Sequence, residues 1–163
     1  MPEKKSVESF QKLANNKMLF PLLLLAKLPA AFWAGVRLKE LNDKHSIATI
    51  KFKYLNQNPF RSIYFACLAM AAELSTGALA MMYVHKRKPS VSMLVTDLRA
   101  SFHKKAVGKI EFHCMEGVAF KEIIKKAIDT NEGQTLEVKS TGTNAAGEIV
   151  AEFWFEWSFK AKS

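Results

Sequence analysis

Between Ile63 and Val84 the sequence carries a single charged residue, Glu73, among alanine, leucine, methionine and aromatic side chains. A helix that is apolar on every side is a helix buried on every side. An ionised carboxylate in such surroundings must be compensated or must take up a proton. Burial raises a carboxyl pKa, and a raised carboxyl suits general-base work near neutrality. Glu73 is therefore the first candidate for chemistry. The plainer alternative is a structural carboxylate, hydrogen-bonded to nearby backbone or neutral and inert. Ser75 and Thr76 follow it and read as packing hydroxyls, since no Gly-x-Ser-x-Gly nucleophile turn is present.

Other chemistry-bearing residues are sparse. Cys67 and Cys114 lie far apart, with no Cys-x-x-Cys and no metal-ligand spacing. They read as buried free thiols of a reducing compartment, which points to the cytoplasm. His103 and His113 stand ten residues apart across an expected hairpin, without carboxylate company, so no metal is expected. The net charge of +9 favours partners with phosphate or carboxylate groups: nucleic acid, an anionic membrane surface or a phosphorylated ligand. No Gly-rich phosphate loop, zinc spacing or recognition helix accompanies that charge, so nucleic acid is not an expected partner.

Elements must position these residues. The chain has 163 residues with 49% hydrophobic content, enough for one domain with a real core. Residues 1–17 are charged and polar, with helical spacing at Val7, Phe10 and Leu13. Residues 18–34 are very apolar, but Pro21, Lys27 and Pro29 interrupt the run and no small-residue cleavage site follows. This run is too short for a membrane span and reads as one or two short helices lying over the core or lining a pocket. An in-plane membrane contact is the alternative. Val36–Leu41 reads as a short strand. Ser46–Tyr54 alternates, with Ala48, Ile50, Phe52 and Tyr54 on the inner side. The long apolar helix then begins near Ser62, its expected N-cap, and ends at His85-Lys86-Arg87-Lys88-Pro89, where cations suit the negative end of the helix dipole. Its length also raises a transmembrane reading, against which Glu73 and the later period-two patterning count. Strands follow from Val91 to about His103 and from Lys109 to Met115. A helical or irregular crossover spans 117–130, and another strand starts at Leu136 and Val138. Ile149–Lys160 is the clearest strand, with Phe153, Phe155, Trp157 and Phe159 on one face. A sheet wrapped around one helix satisfies every pattern at once, because each strand offers one apolar face and the helix offers apolar surface all round.

This arrangement resembles the hotdog fold of acyl-CoA thioesterases and dehydratases, an α+β fold with a curved antiparallel sheet wrapped around a long central helix. In the single-domain thioesterase branch an Asn stands six residues before a His-Gly-Gly, a small hydroxyl residue lies two before the His, and an Asp or Glu follows nine after it. Asn58, Ser62, Tyr64-Phe65-Ala66 and Glu73 fall at those spacings here. The His position holds Tyr64, and the two glycines are Phe65 and Ala66. The resemblance spans roughly residues 36–160. It divides the chain into an N-terminal helical extension, 1–35, like that of an uncharacterised branch of the superfamily, and a hotdog domain, 36–163.

The resemblance implies an acyl-thioester hydrolase acting on acyl-CoA or an acyl carrier, with no cofactor of its own. Glu73 would activate water or attack the thioester. The helix-start amides of Tyr64, Phe65 and Ala66 would hold the developing oxyanion. Asn58 would orient the carbonyl or the water, unless it is only a turn residue before Pro59. Arg99, Lys104 and Lys105 would hold phosphates, unless they are a solvated turn. The site would form between two subunits of a homodimer, which could pair into a tetramer. The alternative function is a non-catalytic acyl- or lipid-binding protein in which Tyr64, Phe65 and the N-terminal helices close the pocket.

Overall fold

Phe153, Phe155, Trp157 and Phe159 are all buried along one strand, β6 (Ile149–Ala161), as their alternation predicts. Each such side chain contributes about 1.5–3 kcal/mol relative to leaving it in water. In the computed structural model, which describes residues 2–162, β6 is flanked by β3 (Val91–Phe102) and β5 (Gln134–Thr143). The remaining strands are β1 (Arg37–Leu41), β2 (Ser46–Lys51) and β4 (Lys109–Cys114). Together they form one curved, six-stranded, wholly antiparallel sheet in the order β1-β2-β4-β5-β6-β3.

Among the described residues five α-helices accompany the sheet: α1 (Pro2–Ala14), α2 (Leu19–Lys27), α3 (Pro29–Ala34), α4 (Phe65–Val84) and α5 (Gly117–Thr130). α4 is the long apolar helix, and the sheet wraps it. Among the described helices it alone is long and apolar enough to cross a membrane, yet most of it is covered by its own chain. That coverage replaces the transmembrane reading with a core helix. α5, which follows β4 and precedes β5 in the chain, packs against α4, β5 and β6, burying Phe120, Ile124 and Ala127. Phe120 meets Phe159 edge-on at 6.0 Å.

Three expectations change. β2 ends at Lys51 rather than continuing to Tyr54, because the Asn56 side chain pulls the chain into a short 3-10 turn, Tyr54–Asn56. Asn56 Oδ1 accepts from the Lys53 amide at 2.9 Å, and its Nδ2 donates to Lys51 O and Ala34 O, both at 2.8 Å. Tyr54 consequently faces solvent. β3 and β4 do not form a hairpin, since β5 and β6 lie between them, so His103 and His113 are not brought together. α4 begins at Phe65, three residues after the expected cap, Ser62.

The core leaves no room for a methyl group at Gly142, where a Cβ would stand 2.5 Å from the Phe112 ring. Gly142→Ala is expected to cost about 1–3 kcal/mol through overpacking, read as a lower urea midpoint with an unchanged slope.

Candidate functional site

α4 is not covered all round. Phe65, Ala69, Glu73, Gly77 and Met81 recur every fourth residue, a row that winds gradually round the helix. Phe65 and Met81 are exposed and the three between are half-buried, while Leu68, Ala72, Thr76 and Leu79 on other faces are buried. Glu73 therefore stands on a row that its own chain leaves partly open.

Its carboxylate lies back over Gly77. A Cβ on that glycine would meet Glu73 Oε1 at 2.8 Å and Trp157 Cη2 at 3.4 Å. Trp157 is held in place, donating from Nε1 to Thr76 Oγ1 at 3.1 Å, and Thr76 in turn donates to Glu73 O at 3.0 Å. Among the described residues Glu73 has no ion pair and no side-chain hydrogen bond, so desolvation alone acts on it and raises its pKa to about 7. The contrast with other carboxylates is sharp. Glu111 is held below its usual range by Lys109 and Lys39, Glu152 by Lys139 and His103, and Glu148 by Lys104. Glu73 is thus a carboxyl poised to exchange a proton at neutral pH.

Gly77 was not singled out by the sequence motif. Its signal is positional: a residue without a side chain four places after the acid leaves space for the carboxylate. Gly77→Ala is expected to raise helix stability by about 0.5–1 kcal/mol while displacing Glu73. A thermal melt at or above that of the wild type, with the Glu73 titration moved away from about 7, is the predicted pair of results.

The start of α4 forms a second feature. The preceding loop is closed by a Gln57–Ile63 bridge and by Asn58, whose Oδ1 accepts from the amides of Phe60 at 2.9 Å and Ser62 at 3.2 Å. Asn58 Nδ2 lies 3.0 Å from Ser62 Oγ. The Asn58 side chain is spent on shaping this loop, which is the turn role the sequence also offered, and Ser62 is engaged by Asn58 instead of capping the helix. Tyr64 occupies the cap position in extended backbone, with no side-chain cap. Its own amide donates to Asn56 O at 2.8 Å. The amides of Phe65 and Ala66 have no acceptor among the described residues, as befits the first turn of a helix. Of the three amides expected to serve as oxyanion donors, Tyr64's is occupied and these two remain.

A cleft of about 360 Å³ opens beside these amides, lined by Ser62, Tyr64, Phe65, Phe102, Lys104 and Lys105 among others. Lys104 also pairs with Glu148. Arg99 does not belong to this cleft: it stacks 4.2 Å over the Trp154 ring and lies 3.7 Å from Glu137. Glu73 does not line it either. It sits two helical turns further along, roughly 12 Å by the rise of the helix. A larger cleft of about 940 Å³ lies at the opposite end of α4, against α1, and contains neither Glu73 nor the free amides.

Wrapped helix, sheet order and N-terminal helices together define a hotdog-fold protein. The chain belongs to the DUF4442 family, described as a domain of unknown function, whose model matches residues 16–159. No curated protein matches the chain in sequence. Solved structures share its fold at low identity. A Pseudomonas aeruginosa protein of unknown function, PA5026, described as a probable thioesterase, is 18% identical with a TM-score of 0.70 over 95% of each chain. Thioesterase HI1161 of Haemophilus influenzae is 13% identical with a TM-score of 0.66, over 86% of this chain and 88% of that one. The PaaI protein of the E. coli phenylacetic acid degradation operon is 10% identical with a TM-score of 0.64, over 94% of this chain and 96% of that one.

Proposed function

We propose that the protein is an acyl-thioester hydrolase, acting on acyl-CoA or an acyl carrier as a cytoplasmic homodimer. The observation that carries this reading is Glu73, a half-buried carboxyl without partners among the described residues, whose pKa lies at about 7. In the reaction Glu73 takes a proton from water, and the resulting hydroxide attacks the thioester carbonyl carbon. Negative charge develops on the carbonyl oxygen, where the free amides of Phe65 and Ala66 and the positive end of α4 stabilise it. Collapse expels the thiolate, which recovers the proton from Glu73. Lys104 and Lys105 sit where they can attract a phosphorylated carrier to the cleft.

The separation of Glu73 from those amides within one chain supports a site shared by two copies. Among the described residues β3 pairs with β6 on one side only, and its other edge runs unpaired for twelve residues, exposing Leu94 and Leu98. Such an edge is a template for a second strand. In this reading a second copy pairs there, and each Glu73 works with the partner's helix start.

The aromatic rings of Tyr64 and Phe65, 4.9 Å apart beside the amides, favour a second reading: a non-catalytic acyl binder with a closed pocket. A panel of acyl-CoAs of increasing chain length, followed by release of free thiol, separates the two. Turnover with at least one chain length is expected. Absence of release across the panel, with a fatty acid co-purifying, overturns hydrolysis in favour of binding.

A further inference from the structure

The N-terminal helices do not fully pack on the core. α2 turns Phe20 and Leu24 inward, but Met18, Leu19, Leu22, Leu25 and Leu28 face outward, joined by Trp33 of α3. Their exposure is large for such residues: 80% for Met18, 61% for Leu22 and 59% for Trp33. A contiguous apolar surface of this kind marks an interaction site. The outward set sits opposite the buried pair on α2, so the helix is greasy on both sides and only one is used by the fold.

Charge identifies the occupant. Between Glu8 and Glu40 the sequence contains no acidic residue at all, while Lys12, Lys17 and Lys27 fall within it. All three lysines are exposed and none has an ion pair among the described residues. The next protrusion repeats the pattern. The turn carrying exposed Tyr54 and Leu55 is tied to α3 by the Asn56–Ala34 hydrogen bond and begins after exposed Lys53. Leucines that enter an acyl layer, a tryptophan at its boundary and lysines free to meet headgroup phosphates are the chemistry of an interfacial helix. A second copy of this chain is disfavoured as occupant. A two-fold contact would set this face against itself, bringing lysines together with no carboxylate to offset them.

We infer that the α2–α3 face, Met18 to Trp33, is a peripheral docking surface for an anionic lipid bilayer. The inference does not depend on the hydrolase reading, because its test involves no turnover. The full chain is sedimented with vesicles of phosphatidylcholine alone and of phosphatidylcholine mixed with phosphatidylglycerol. Binding to the mixed vesicles is expected, weaker by about tenfold or more on phosphatidylcholine alone. Leu22→Asp and the double variant Lys17→Gln, Lys27→Gln are each expected to lose about tenfold or more on the mixed vesicles, at unchanged melting temperature and oligomeric state. Failure of the wild type to sediment with either vesicle overturns the proposal. So does Leu22→Asp binding as well as wild type, or a Leu22→Asp variant that falls from dimer to monomer, which makes this face an interface between copies.

Discussion

Replacing Glu73 with glutamine is expected to lower thioester hydrolysis by about 10²–10⁴-fold, the range lost with a positioned general base. Glutamine keeps the shape of the side chain but cannot take a proton from water. In the wild type the rate should rise with pH through about 7 as the carboxylate forms, and this limb should vanish in the variant. A second effect follows from the same burial and has the opposite sign. The folded-state pKa of Glu73, about 7, lies above its ordinary value of 4.5. The folded protein therefore binds this proton more tightly than the unfolded chain. The stability it confers is fully present below pH 4.5 and is lost as pH rises through about 7. The loss amounts to about 3 kcal/mol between those limits. Glu73→Gln escapes it, so the variant should equal the wild type near pH 4.5 and exceed it in stability at pH 8. Denaturant titrations at the two pH values, beside thiol-release assays, measure both effects. A variant no more stable than wild type at pH 8 would mean that Glu73 is solvated or paired, which removes the basis for its catalytic role.

How much of this was legible in the sequence depended on the range of the interaction involved. β6 and α4 were readable because their signals are local: strict alternation in one, apolar residues on every side in the other. Glu73 was readable for the same reason, as the lone charge in that run. Strand pairing was not. Alternation says that β3 and β4 each have an inner face, but not that β6, more than forty residues later, is the neighbour of β3. Single polar side chains displaced two boundaries. Asn56 ends β2 early by capturing the backbone around it, and Asn58 takes the Ser62 side chain that was expected to cap α4. The motif spacing gathered Asn58, the Tyr64–Ala66 turn and Glu73 into one expected site. In the fold the turn and the acid lie on one helix but two turns apart, a separation that spacing along a sequence states plainly once the helix is known to run unbroken between them. The outward half of α2 was hidden by its composition, since leucines that face the core and leucines that face away look alike in a list.

The same separation makes the proposed shared site testable without any image of a dimer. Phe65 is the first residue of α4, a position where proline fits, because its φ is already suited and no intrahelical bond is lost. Tyr64 before it has φ −60° and ψ 134°, the extended backbone that a following proline requires. Phe65→Pro therefore deletes one of the proposed oxyanion donors while keeping the helix, and is expected to cost about 10²–10³-fold in turnover. Phe65→Ala, which removes only the ring, should cost far less. Two inactive proteins now differ in which half of the site they lack. In a mixed dimer of Glu73→Gln with Phe65→Pro, one site pairs the intact acid of one copy with the intact amides of the other. The second site is defective in both. Random exchange of equal amounts makes half the dimers mixed, so about a quarter of wild-type activity should return. If acid and amides act within one chain, every site in the mixture remains broken and no activity returns. Adding Leu94→Asp and Leu98→Asp to both copies places charges on the β3 edge and should abolish the recovery along with the dimer, as read by light scattering. Recovery that survives these charges would mean that pairing at the β3 edge does not build the shared site.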